Sequence, residues 1–228
     1  MASLTEKQKK NYPRKIGGLF KLSFGEELAN TISHGVPAIL LILALPYFAV
    51  IGYIKSGPVL ALGYSVFIIC LFLMFSSSAL YHAMDFGSKH KQVFRIIDHI
   101  MIYFAIAGTF TPICLSVIEG PLGIFVLVCQ WIMVLFGILY KSISKKKMPK
   151  ASVIIYLVMG WSAILLIPSL IGSQNWPLIT LIVIGGLLYS GGVYFYTQKT
   201  KPFHHFIWHL FILLASISHF IGITFFIN

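Results

Sequence analysis

Hydrophobic residues in this chain fall into long blocks separated by short polar connections. Reading for runs of roughly 18 or more residues with few charges gives seven, at about 30–54, 58–83, 93–117, 121–140, 152–172, 177–197 and 204–226. Each is long enough to cross ~30 Å of hydrocarbon as an α-helix, the one open-chain structure that satisfies its own backbone there. The connections are short, so consecutive helices are expected to be antiparallel neighbours with no room for a separate soluble domain. The expected fold is therefore all-α: a polytopic seven-transmembrane-helix bundle over 29–228, preceded by a basic arm and interfacial helix over 1–28.

Composition agrees, with 58% apolar residues, 10% charged residues and a mean hydropathy of +0.89, far from soluble globular domains. Charge then orients the bundle, because Lys and Arg are retained in inside loops. All but one of the 17 basic residues fall on one side. They lie in the N-terminal arm (Lys7, Lys9, Lys10, Arg14, Lys15, Lys21) and in three connections (Lys89, Lys91 and Arg95; Lys141, Lys145, Lys146, Lys147 and Lys150; Lys199 and Lys201). Only Lys55 lies opposite, on the side of Glu119 and the turn 172–177. The N-terminus is expected inside and the C-terminus outside.

The net charge of +11 sits on these membrane-proximal loops, where orientation and anionic headgroups account for it, so no nucleic-acid partner is expected. The stretch Ile16–Leu28 reads as a short interfacial helix. A cleavable signal peptide is not expected, since the first apolar stretch comes late and is too long. Cys70, Cys114 and Cys129 fall inside spans without CxxC spacing and read as inert buried thiols. Gly185, Gly186, Ser190, Gly191 and Gly192 put small residues on successive turns of the sixth run, inviting close approach of a neighbour. Pro112 is expected to kink the third run on its outer half; a kink can open space between helices, though it does not establish a cavity. No internal repeat divides the spans into similar halves, which argues against a repeat-built transporter.

Candidate chemistry comes from the few ionisable residues. Ser78 and His82 share one face at the inside end of the second run, Asp98 lies about a turn into the third, and His205 and His209 share a face at the start of the seventh. Topology brings all five to similar depth at the inner leaflet. Neutral imidazole is a good zinc donor, and three histidines leave a fourth position for water. Water there has its pKa lowered towards roughly 7, so a nearby carboxylate such as Asp98 can act as base and Ser78 as hydrogen-bond donor.

A blander arrangement stands beside this one. A histidine at a helix end is commonly a headgroup-level residue, and HxxxH alone is a weak pattern. Asp98 is the only carboxylate well inside any run, and unpaired it costs on the order of 2.5–3.5 kcal/mol in the bilayer. It therefore needs a partner, which a structural cluster with Arg95 or His99 also provides. His99 and His204 lie about 100° around their helices from Asp98 and His205 and are expected to face elsewhere. His34 suits packing more than support of the site, His90 is a loop residue, and His219 lies about 15 Å deeper than His209. Fe(II), Mn(II) and Co(II) fit the same donors.

Four ordered motifs carry a resemblance. They are Glu26-Glu27-Leu28-Ala29-Asn30-Thr31-Ile32-Ser33-His34-Gly35, Ser78-Ala79-Leu80-Tyr81-His82, Arg95-Ile96-Ile97-Asp98-His99 and His205-Phe206-Ile207-Trp208-His209. Together the chain resembles the bacterial hemolysin III family, which belongs with the progestin and adiponectin receptors (PAQR) and, more distantly, the ceramidase-like CREST superfamily. The resemblance implies a seven-helix, inside-N bundle in a bacterial plasma membrane. It also implies zinc held by His82, His205 and His209, with Asp98 reaching it through water and Ser78 behind the ligands. The first expectation for function is a zinc-dependent hydrolase of a membrane lipid amide or ester, with Asp98 and Ser78 catalytic and membrane lipids as partners. The alternatives are a receptor-like regulator of membrane state with structural zinc, implied by the animal relatives, and a cytolysin, implied by the family name. The chain offers no amphipathic pore-lining helix or ring of charges for the latter.

Overall fold

The computed structural model describes residues 15–16, 19–118, 120–143, 149–198 and 201–227. Two short strands, β1 (Lys15–Ile16) and β2 (Leu19–Phe20), pair antiparallel. Helices α1 (Phe24–Ala83), α2 (Lys89–Ser116), α3 (Pro121–Ile143), α4 (Pro149–Trp161), α5 (Ile167–Gly172), α6 (Trp176–Thr197) and α7 (His204–Phe226) follow, with a 3-10 turn over Ser162–Leu166 between α4 and α5. Among the described residues, six helical stretches are long and apolar enough to cross a membrane, the α4–α5 unit counting as one. The chain is a multi-pass membrane protein. Lys7, Lys9, Lys10, Arg14, Glu119, Lys145, Lys146, Lys147 and Lys199, on which part of the charge argument rests, lie outside the described residues.

The interfacial helix expected over Ile16–Leu28 is not formed. Its first part pairs as β1 and β2, and helix begins only at Phe24. The start is set by a capping box: Ser23 Oγ accepts from the Glu26 N–H, while the Glu26 carboxylate accepts from the Ser23 N–H at 2.9 Å. Helix thus begins six residues ahead of the predicted span, and the acidic pair Glu26 and Glu27 occupies its first turn, where the helix dipole favours negative charge.

At 60 residues, a straight α1 would reach roughly 90 Å, about three hydrocarbon thicknesses. It breaks instead at Ser56 and at Gly57, whose φ of 75° lies in the left-handed region that glycine tolerates. Pro58 then opens the next helical run. A Cβ on Gly52 would lie 3.0 Å from Ala61 Cα, and Glu27 touches His82, so 24–55 and 58–83 run antiparallel as two arms of a hairpin.

The second arm is the centre of the packing. Leu60, Tyr64, Phe67, Ile68, Leu71 and Phe75 are all buried, whereas Ile39, Leu40, Leu43, Leu135 and Leu139 on surrounding segments are exposed, as hydrocarbon contact allows. Small residues set the approach of its neighbours. A Cβ on Gly63 would meet Pro112 Cα at 2.9 Å, and one on Gly108 would meet Cys70 Cβ at 2.5 Å. Pro112 is therefore a close-packing contact within α2. Gly185 lies against the His219 ring and Gly192 against Trp208 and Phe211, which joins α6 to α7 as the small-residue pattern anticipates.

The fifth run, in contrast, is not uniform helix. Pro168 lacks an N–H and its ring opposes the carbonyl four residues back, and the preceding turn tightens to 3-10. Buried Gln130 donates from Nε2 to the Met159 carbonyl and to Ser162 Oγ, at 3.0 and 2.8 Å. Lys55, beside the break in the α1 hairpin, also finds a role. Its ammonium donates to the Thr224, Phe225 and Ile227 carbonyls, Tyr64 Oη donates to the Thr224 and Ile227 carbonyls, and Asn175 Nδ2 donates to the Phe226 carbonyl. The unpaired carbonyls and negative dipole end of α7 are thereby capped.

Gly63→Ala forces α1 and α2 apart at backbone level, whereas Gly186 has nothing within 4 Å of the added methyl. Thermal unfolding in detergent is expected to show Gly63→Ala destabilised by about 1–3 kcal/mol and Gly186→Ala unchanged or slightly stabilised.

Candidate metal centre

Two helix ends deliver the three histidines. His82 closes the second arm of α1, and His205 and His209 occupy the first turns of α7. The start of α7 is fixed by Phe203, a left-handed N-cap with φ 56°, whose N–H donates to Glu26 Oε1 at 2.8 Å. The acidic first turn of α1 therefore holds the beginning of α7 beside the end of its own hairpin.

His82, His205 and His209 each present a ligand atom within 4.8 Å of the others. His205 Nε2 lies 3.2 Å from His82 Nε2 and 3.2 Å from His209 Nε2. Zn–N bonds of about 2.0–2.1 Å at tetrahedral angles separate adjacent nitrogens by roughly 3.3 Å, so the spacing fits.

Hydrogen bonds on the far side of the rings assign the protons. His82 Nδ1 lies 2.7 Å from Glu27 Oε2, a carboxylate that only accepts, so Nδ1 carries hydrogen and, in the neutral ring that a metal requires, Nε2 presents a lone pair. Ser33 Oγ donates its single proton to the Asn30 carbonyl at 2.9 Å and must accept from His209 Nδ1 at 3.2 Å. In the neutral ring His209 Nε2 is then also a lone pair. A proton on His205 Nε2 can lie along only one of its two short contacts. The other brings lone pairs face to face, an arrangement that a cation relieves. A carboxylate or hydroxyl behind a ligating imidazole is also the usual support of a metal site.

Around the ligands, His34 stacks on His209 with ring centroids 3.7 Å apart and a 9° interplanar angle, and Phe75 meets His34 edge-on. His34 is therefore packed on a site residue and not merely within the core. Asn30 Nδ2 is 3.4 Å from His82 Nδ1, while Asn30 Oδ1 and both His34 ring nitrogens are buried without a partner from the chain.

Ser78 is buried one turn before His82. Asp98 lies outside the three-histidine group. Its Oδ2 is 3.3 Å from His99 Nδ1, and its charge also acts on His82 and His205. His99, expected to face away from Asp98, is instead its partner, as in the structural cluster weighed from sequence. The His99 Nδ1 also lies 2.7 Å from the Arg95 carbonyl, and Tyr156 Oη donates to the His99 carbonyl. His204 turns to the Pro202 carbonyl and His219 to the Ile182 carbonyl, both apart from the site as expected.

Glu27, Asn30, Ser33 and Lys91 were not assigned roles from sequence. Glu27 lay ahead of the predicted first span, and Lys91 counted only as an inside-loop charge. A signal existed in Ser23-Phe24-Gly25-Glu26, the S-x-x-E capping pattern. Starting the helix there places Glu27, Asn30 and His34 on one face.

The sequence model for "Haemolysin-III related" proteins matches residues 22–220. The chain belongs to the haemolysin-III family. It is similar to "Hemolysin-3 homolog" of Bacillus subtilis (strain 168), 37% identical over 201 residues that cover 88% of this chain and 94% of that protein. It is likewise similar to "Hemolysin-3" of Bacillus cereus, 37% identical over 203 residues covering 89% and 92%. A more distant relative is the human "Monocyte to macrophage differentiation factor", 28% identical over 222 residues covering 93% and 89%. The haemolysin-III match spans every residue of the centre, from Glu27 to His209.

Protein purified in detergent is expected to carry about one zinc per chain by mass spectrometry, and a His205→Ala/His209→Ala double variant none. Equal metal in both would remove these histidines from the ligand set.

Proposed function

We propose that this haemolysin-III protein is a zinc-dependent hydrolase of a membrane lipid amide or ester, held in the membrane by seven crossings with the N-terminus inside and the C-terminus outside. The topology is supported by the break at Ser56 and Gly57, by the antiparallel arms on either side of it, and by the one-sided placement of Lys and Arg. The observation that carries the functional reading is the convergence of three imidazole Nε2 atoms with the Nδ1 protons of His82 and His209 drawn outward by Glu27 and Ser33.

Zinc in such a shell supplies a Lewis acid and lowers the pKa of water. The chain does the rest. His82, His205 and His209 hold the ion, and Glu27 and Ser33 keep two of those rings turned towards it. Asp98, kept near the centre by its pairing with His99, takes the proton from the attacking water and returns it to the leaving amine or alkoxide. Ser78 donates a hydrogen bond to the substrate oxygen as negative charge develops. The position of the site at helix ends rather than mid-span supports a substrate cleaved near the headgroup of a lipid.

Asp98→Asn keeps size and removes the base. It is expected to retain zinc while lipid turnover falls by 100-fold or more, measured as release of fatty acid from a panel of amide- and ester-linked lipids in mixed micelles. Unchanged turnover in that variant would reject the hydrolase. The name of the Bacillus cereus relative points to haemolysis; dye release from liposomes that persists in the His205→Ala/His209→Ala variant would favour a lytic activity independent of the centre.

A further inference from the structure

Lys91 is the least expected residue in the molecule. It is a lysine with 2% of its surface exposed, although lysine is among the residues most rarely buried. It also sits in the first turn of α2, where the helix dipole disfavours a positive charge. Both costs are met by its contacts. The ammonium donates to Glu27 Oε1 at 2.8 Å and to the Met84 carbonyl at 3.0 Å, and lies 5.0 Å from the centroid of the Tyr81 ring. Its backbone N–H is held by the Ser88 N-cap at 3.0 Å.

Glu27 is the pivot. One oxygen accepts from Lys91 and the other from His82 Nδ1 at 2.7 Å, so a single carboxylate joins a fixed cation to a ring of the metal centre. The line runs through three elements: the first turn of α1, the end of its second arm and the first turn of α2. Glu27 Oε2 is the acceptor at His82 Nδ1, and among the described residues no backbone group anchors the ring. Its orientation therefore rests on where the Glu27 carboxylate is held.

We propose that Lys91 is a positioning residue of the centre: through Glu27 it locks the His82 ring with Nδ1–H outward and Nε2 inward, preorganising the site before the ion arrives. The proposal rests on reading the three-histidine group as a metal site. Removing Lys91 leaves Glu27 with one partner and a partly buried charge, free to swing to water or to the basic residues of the inner surface. His82 is then released from the geometry that His205 and His209 require.

The test uses full-length protein in detergent and zinc alone as probe. Zinc affinity is measured by competition with a chelating dye for the parent, Lys91→Met, Glu27→Asp and Lys89→Met. Lys89 is exposed on the same turn, so its variant removes the same charge without touching the strut. The strut predicts that Lys91→Met and Glu27→Asp each weaken zinc binding by about 10- to 100-fold, as loss of support behind a ligand does, while Lys89→Met binds as the parent does. Glu27→Asp keeps the charge and shortens the reach, so it decides the matter if Lys91→Met does not fold.

Nitrogen-15 spectra of histidine-labelled, metal-stripped protein supply a readout that needs no metal. The parent is expected to show a His82 signal fixed as the Nδ1–H tautomer, and Lys91→Met a tautomer mixture. Parent-like affinity and a fixed tautomer in both strut variants would overturn the proposal. A parent that binds no zinc yet shows the fixed tautomer only when Lys91 is present would sink the metal reading and leave the strut standing.

Discussion

Inside hydrocarbon, every backbone N–H and C=O must find its partner within its own segment, and each failure costs several kcal/mol. That constraint governs this chain. It makes the spans helices and pushes the unpaired groups to helix ends, where polar side chains must meet them. The capping box at Ser23 and Glu26 meets the N-terminus of α1, and Lys55, Tyr64 and Asn175 meet the last carbonyls of α7. Where the helix fails within the membrane, beside Pro168, Gln130 donates to a carbonyl of the preceding turn. Chemistry is confined to the same places, because helix ends are where ionisable side chains cost least.

The centre follows from this arrangement. One end of the bundle gathers the start and finish of the α1 hairpin, the start of α2 and the start of α7. The acidic first turn of α1 binds them together. Glu26 holds the Phe203 N–H at the head of α7, and Glu27 holds His82 and Lys91. Two neighbouring carboxylates thus serve both as favourable charges at a helix N-terminus and as fixed acceptors for three other segments. Stability and site geometry share the same bonds.

Packing explains how rings at 3.2 Å spacing stay in register. The second arm of α1 is buried along Leu60 to Phe75, and α2 approaches it closely over Gly63, against the Pro112 backbone, and over Gly108, against Cys70. Contacts this close permit few alternative alignments, since a one-turn slide would place side chains where only glycine fits. His34, stacked between His209 and Phe75, transmits that rigidity to a ligand ring.

Much of the protein was legible in one dimension. Hydrophobic runs located the spans to within a few residues at most ends. The positions of His82, His205 and His209 at run boundaries identified the group that the fold brings together. Local errors came from local competition: the first helix starts early because Ser23 and Glu26 cap it, and part of the stretch before it pairs as strands. What periodicity and spacing do not carry is which residues from separate segments meet. Glu27 reaches across 55 positions to His82 and 64 to Lys91, and Ser33 reaches across 176 to His209. Such pairings leave no mark in either partner's neighbourhood. The order of hydrophobic blocks and charges by itself determined a membrane-embedded helical chain with its three candidate histidines at the ends of apolar runs. Only tertiary structure decided that a buried lysine and the first-turn carboxylate of Glu27 stand behind His82, because that depends on how the helices pack.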